Sequence, residues 1–230
     1  MRILSPWLLA AALSVASGTA FAESTVPTLT VSGTASVAAV PDLATISLGV
    51  TTNGATAAEA MTANSTALAA VLARLQAAGI EARDYQTTNL SLNPNWVNNA
   101  AGGVGEIQGY IASNILTVRV RAMDSVGTVL DAVVADGANT LNALSFGLQN
   151  PRPTEDAARK PAVADAVARA TLIAEAAGAK LGKVLSITES GGVGPMPGAM
   201  FRMADEAAMP VAGGEVELSA SVTMVFQIGQ

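Results

Sequence analysis

Four methionines, Met196, Met200, Met203 and Met209, fall within a Gly- and Pro-rich stretch at residues 191–214, in a chain that has no cysteine and no histidine. Thioether sulfur is a soft ligand that selects Cu(I), makes adaptable contact surfaces, and is open to oxidation. The spacings of four, three and six residues follow no compact metal motif. No metal ligand, cofactor-binding residue or catalytic residue is therefore assigned. Trp96, a lone indole among Asn, Pro and Gly, has a body suited to a neighbour's pocket or to lidding its own core. Trp96 and the four methionines are the candidate contact residues.

The absence of His and Cys removes Ser-His-Asp and Cys-His nucleophile systems, and zinc sites built on those ligands. A phosphate-binding loop needs four residues between its glycines and a hydroxyl after its lysine. Gly178 and Gly182 are one residue too close, and Val184 follows Lys183, so this run reads as a helix stop and turn. Gly192-Val193-Gly194 has its next glycine at Gly198, off the dinucleotide-loop spacing. Glu215 with Glu217, and Asp205 with Glu206, read as solvated carboxylates rather than acid/base couples. Asp42 follows Pro41 at a turn, where its side chain is expected to bond nearby backbone. No enzymatic activity is expected.

These residues need elements to position them. Period-two alternation marks two strands, with apolar faces Leu29 and Val31, then Ala44, Ile46, Leu48 and Val50, and with Pro41-Asp42 as the turn between them. Thr56-Ala57-Ala58-Glu59 is a capping box that opens a helix with the stripe Leu68, Val71, Leu72 and Leu75, stopped at Gly79. A third strand carries Leu90 and Leu92 and gives way to a loop over residues 93–105 that holds Trp96. The fourth turns Leu116, Val118 and Val120 inward and Thr117, Arg119 and Arg121 outward. Asp124 is the expected N-cap of a second helix, with stripe Val126, Val129, Leu130 and Val133 and stop Gly137. A fifth strand holds Leu144, Phe146 and Leu148.

A third helix is expected over about residues 154–177, divided or kinked at Pro161. Its buried face reads Val163, Val167, Ala170, Ile173 and Ala177. After it come a short strand with Leu185 and Ile187, the methionine loop, and a last strand alternating from Val216 to Ile228. The order ββαββαβαββ contains a βαββαβ stretch, the order of ferredoxin-like folds. The fold class is α+β, a largely antiparallel sheet with helices on one face. The final αββ segment, with or without the first strand, either extends that sheet or forms a second small lobe.

The first residues read as an export signal. Arg2 precedes an apolar run at residues 3–15, and Ala20-Phe21-Ala22 is a small-residue cleavage site before Glu23. The run is too short for a bilayer-spanning helix. Residues 1–22 are thus expected to be removed, leaving a domain over residues 23–230 with no transmembrane segment. Loss of Arg2 leaves eleven basic residues against eighteen acidic ones, a net charge of about −7. Such a surface repels nucleic acid. Aromatic residues make up only 3%, which with the helical segments argues against an outer-membrane barrel and its aromatic girdles.

Several segments, in order, resemble the SIMPL domain family. They are Val31-Ser32-Gly33 with Pro41-Asp42-Leu43-Ala44, Gly109-Tyr110-Ile111-Ala112-Ser113-Asn114, Ser145-Phe146-Gly147-Leu148, Ala158-Arg159-Lys160 leading into Ala162-Val163-Ala164-Asp165-Ala166, and the run from Ala176 through Val184. The resemblance spans essentially the whole chain after the leader; Pro161 departs from it. It implies a periplasmic or envelope-associated protein of undefined biochemical function, with an oligomeric assembly, and with links to envelope or oxidative stress in some members. The leading expectation is an exported, non-enzymatic protein that works by self-assembly or partner contact. The alternative is periplasmic binding or scavenging of a small ligand or soft metal.

Overall fold

The computed structural model describes residues 26–97, 105–190, 196–197 and 211–230. The expected leader and its cleavage site, Met200, Met203, Met209, the Asp205-Glu206 pair and the glycines from Gly191 to Gly194 lie outside the described residues. The elements are β1 (Thr28–Ala39), β2 (Leu43–Gly54), α1 (Ala57–Ala77), β3 (Tyr85–Val97), β4 (Glu106–Val120), α2 (Val126–Ala135), β5 (Thr140–Gly147), α3 (Arg152–Ala176), β6 (Lys180–Ser190), β7 (Met196–Pro197) and β8 (Val216–Gly229). The class is α+β, with two antiparallel sheets.

The first sheet has the order β3-β4-β2-β5. This is the split-βαβ arrangement expected of residues 43–147, with α1 lying over β2 and β4. Its core joins Ile46, Leu48 and Val50 of β2 to Leu116, Val118 and Val120 of β4, beneath Val71 and Leu75 of α1 and the whole predicted stripe of α2. The second sheet has the order β1-β8-β6, with β7 also paired to β8. It carries α3 and has its own core. The terminal αββ segment with β1 therefore forms a separate layer rather than extending the first sheet. Although only residues 40–42 separate β1 from β2, the two strands pair in different sheets. The turn is pinned to the end of β5: Asp42 N–H donates to Gly147 O at 3.1 Å, and its carboxylate accepts Gln149 N–H at 2.6 Å. Asp42 thus binds backbone, but that of Gln149 beyond β5 rather than of its own turn.

α1 opens on the predicted box, with Thr56 Oγ1 accepting Glu59 N–H at 3.2 Å and Glu59 Oε2 accepting Thr56 N–H at 3.1 Å. Gly79 follows it at φ 82°, the left-handed geometry that suits glycine. Asp124 is not the N-cap of α2: it lies in a short 3-10 turn, Met123–Ser125, and Ser125 occupies the cap position, its hydroxyl donating to Ala122 O instead.

α3 departs from expectation in three ways. It begins at Arg152, it runs without a break through Pro161, and its buried residues are Ala158, Ala162, Ala166, Ala170 and Ala174. Val167, Ile173 and Ala177 are exposed, and Val163 only flanks the core. The cause is proximity. A Cβ placed on Gly33 of β1 would lie 2.2 Å from Ala162 O and 2.3 Å from Ala166 N, so the interface has room only for alanine. Ala158 and Ala162 anchor the turns on either side of the exposed proline. The strand expected to hold Leu185 and Ile187 is β6, where both are exposed.

Candidate contact surface

Trp96 is not in a loop. β3 extends to Val97 and pairs with β4 from Glu106 onward, so the residues around Trp96 form the outer end of a two-stranded arm. A register shift between Asn95 and Trp96 sets Trp96 opposite Ile107. Side chains two residues apart on a strand share a face, so Leu90, Leu92, Pro94 and Trp96 form one stripe. Leu90 lies opposite Asn114 and Leu92 opposite Ala112, both on the buried, helix-covered side of β4.

The helix layer stops short of this stripe. Leu90 is 55% exposed, Leu92 41%, Trp96 57% and Ile107 45%. Where α1 does cover the sheet, Asn64 stitches it down, its Nδ2 donating to Val50 O at 2.8 Å and Ala112 O at 3.1 Å. Next to the open stripe, Asn114 Oδ1 is the one buried side-chain N or O atom among the described residues without a hydrogen-bond partner. Contiguous exposed apolar surface rimmed by polar groups marks contact sites.

Of the other sequence candidates, Met196 lies in β7, where its backbone pairs opposite Glu217 in the second sheet. The structure therefore places Trp96 and Met196 in different sheets and does not join them into one surface. Leu90 and Leu92 were legible as strand residues; their exposure was not, because alternation alone does not say how far a helix reaches across a sheet.

The opposite end of β3 holds the most constrained charge pair. Asp84 is buried and accepts two hydrogen bonds from Arg121, at 2.9 and 2.7 Å, while Arg121 Nη1 also donates to Gln149 Oε1 at 3.0 Å. The hydrogen bond from Arg121 holds the Asp84 carboxyl below the usual carboxylate range, against the opposing effect of burial. A carboxyl depressed on folding adds stability at pH values above its unfolded pKa, and that stability is lost as pH falls through the folded value. The difference in Tm between the unmodified protein and Asp84→Asn is thus expected to be full at neutral pH and to shrink as pH falls below about 4. A constant difference from pH 7 to pH 2 would refute this role. Asp165 is lowered as well, first by Thr34 N–H and then by Arg169.

Glu217 is exposed, and among the described residues no group of His, Cys, Asp or Glu could hold a metal ion. A cleft of about 180 Å³ opens between α2 and β5, walled by Leu48, Leu130, Val133, Val134, Ala138 and Leu141. Its polar neighbours Asn139 and Thr140 are already bonded to Thr51. Among the described residues no helix is long and apolar enough to cross a membrane.

Comparison with known proteins agrees with the sequence motifs. Residues 29–226 match the model of the SIMPL family, described as "Protein of unknown function (DUF541)". The chain is 40% identical over 212 residues to the 26 kDa periplasmic immunogenic protein of Brucella melitensis, covering 87% of this chain and 84% of that one. It is 31% identical over 209 residues to the uncharacterized protein YggE of Escherichia coli K12, covering 88% and 83%. With a two-sheet α+β fold whose sequence matches from β1 to β8, the chain belongs to the SIMPL family.

Proposed function

We propose that this SIMPL protein is exported to the periplasm and acts there without catalysis, through contact with copies of itself or with a protein partner, in the setting of envelope or oxidative stress. The signal-like first 22 residues support export, as does the relative whose name places it in the periplasm. The observation that carries the contact role is the open apolar stripe Leu90, Leu92, Pro94 and Trp96 on the β3–β4 arm. Association there would hide surface that water now meets, and apolar burial is the main drive for protein association.

The test is the absolute mass of the purified protein by light scattering over a wide concentration range. The unmodified protein is expected to exceed the monomer mass, and Trp96→Ser, whose site is exposed, to shift toward monomer with its circular dichroism unchanged. A monomer at every concentration would sink self-assembly. It would then favour a second reading, capture of a small apolar ligand in the cleft between α2 and β5, whose two polar side chains, Asn139 and Thr140, are already bonded to Thr51.

A further inference from the structure

Among the described residues the edge strands are β3 and β5 in the first sheet and β1 and β6 in the second, where the two-residue β7 also pairs with β8; an open edge is a template for pairing unless it is blocked. β1 is closed: α3 lies against it, and the Asp165 carboxylate takes Thr34 N–H at 2.9 Å. β6 carries Lys180, Lys183 and Glu189, and its register is broken on both sides of Val184. β5 is only 8 residues long, and its register shifts near its middle. β3 is different. Like β1 and β5 it has no charged side chain, but it runs for 13 residues and one face of it is the exposed stripe.

We propose that the chain pairs with a second copy of itself along the open edge of β3, antiparallel and about a twofold axis at Ser91. This rests on the self-contact reading above and names its joint. The sequence around that residue, Asn89-Leu90-Ser91-Leu92-Asn93, reads the same in both directions. A twofold antiparallel pair reverses one strand against the other, so only such a palindrome sets like opposite like. Leu90 meets the second copy's Leu92, and Asn89 meets its Asn93. Opposed side chains in such a pair lie about 5 Å apart. Four half-exposed leucines close into one cluster on the helix side, and asparagine amides, each both donor and acceptor, face each other on the other side. The irregularity at Thr88 and the proline at Pro94, each three residues from Ser91, bound the joint symmetrically. The net charge of −6 favours approach of two copies at an edge free of charge, and of the three such edges, β1, β3 and β5, that of β3 is the longest and carries the exposed apolar stripe.

Because the chain contains no cysteine, Ser91→Cys supplies a single thiol at the proposed axis. Cα atoms directly opposite in an antiparallel pair are about 4.5 or 5.5 Å apart, within the reach of a disulfide. In a glutathione redox buffer at micromolar protein, the Ser91→Cys protein is expected to become mostly covalent dimer on a non-reducing gel. Ser36→Cys and Ser186→Cys, both exposed on the other sheet, should give at least tenfold less. Adding Leu90→Lys and Leu92→Lys to Ser91→Cys should abolish the dimer. Cross-linking no better than the controls, with a mass above monomer for the unmodified protein, would overturn the β3 joint and leave self-assembly through another surface. The same result with a monomeric mass would overturn both. A dimer that survives the two lysines would also overturn the joint.

Discussion

Gly33→Val is expected to destabilise the protein by about 3 kcal/mol or more, read as a fall in the urea midpoint. The glycine is not needed for an unusual φ; it is needed for clearance. Any Cβ there would fall within 2.2 Å of Ala162 O, 2.3 Å of Ala166 N and 2.7 Å of Ala166 Cβ. Two of these atoms are backbone, so no rotamer change relieves the clash. α3 must lift from β1, and the alanine stripe loses its dense contact with the sheet. Gly147→Ala is the control, since nothing lies within 4 Å of a Cβ at Gly147, and it should stay within about 0.5 kcal/mol. The two cores share no buried residue, so amide exchange should rise in β1 and β8 before it rises in β2 and β4. An unchanged urea midpoint for Gly33→Val would mean that α3 does not sit where its alanines place it.

That same contact explains where sequence reading failed. α2 and β8 were legible because each buries large side chains at its own period, Val126, Val129, Leu130 and Val133 in one and Val216 through Phe226 in the other. On α3 the largest apolar residues are not the buried ones. Hydrophobic periodicity ranks Val and Ile above Ala, yet a helix held this close to a strand admits only a methyl group, so Val167 and Ile173 turn outward. The partner of β1 was invisible for another reason: β8 lies at the other end of the chain, and no local residue records that pairing. Trp96 was misplaced because its neighbours Asn93, Pro94 and Asn95 have turn-like composition. Pairing with β4 outweighs that preference, as tertiary context does for strand propensity generally. The contact stripe was thus half visible. The leucines and the tryptophan could be named, but their common face appears only once the strand is known to continue.

Ile46→Ala is expected to cost about 2–5 kcal/mol, and Ile46→Val about 0.5–1.5 kcal/mol. Ile46 has no solvent exposure and is the fourth residue of β2, opposite Val118 of β4 on one side and Leu144 of β5 on the other. Close packing on every side leaves little room for collapse around the missing methylenes, which puts the alanine change in the upper half of its range. A domain is stable by only about 5–15 kcal/mol, so this single truncation removes a large share. The consequence reaches the contact arm. β2 pairs with β4 from Ala44 to Gly54, and β4 continues outward as the inner strand of the arm that carries Trp96. Loss of the core therefore releases the strand against which β3 is held. If the chain assembles through this arm as proposed, Ile46→Ala is expected on warming to lose near-native circular dichroism and assembled mass at one midpoint, well below that of the unmodified protein. Assembled mass that persisted after the sheet had melted would place the association outside the β3–β4 arm, because an arm without β2 beside it has too few strands to stay folded.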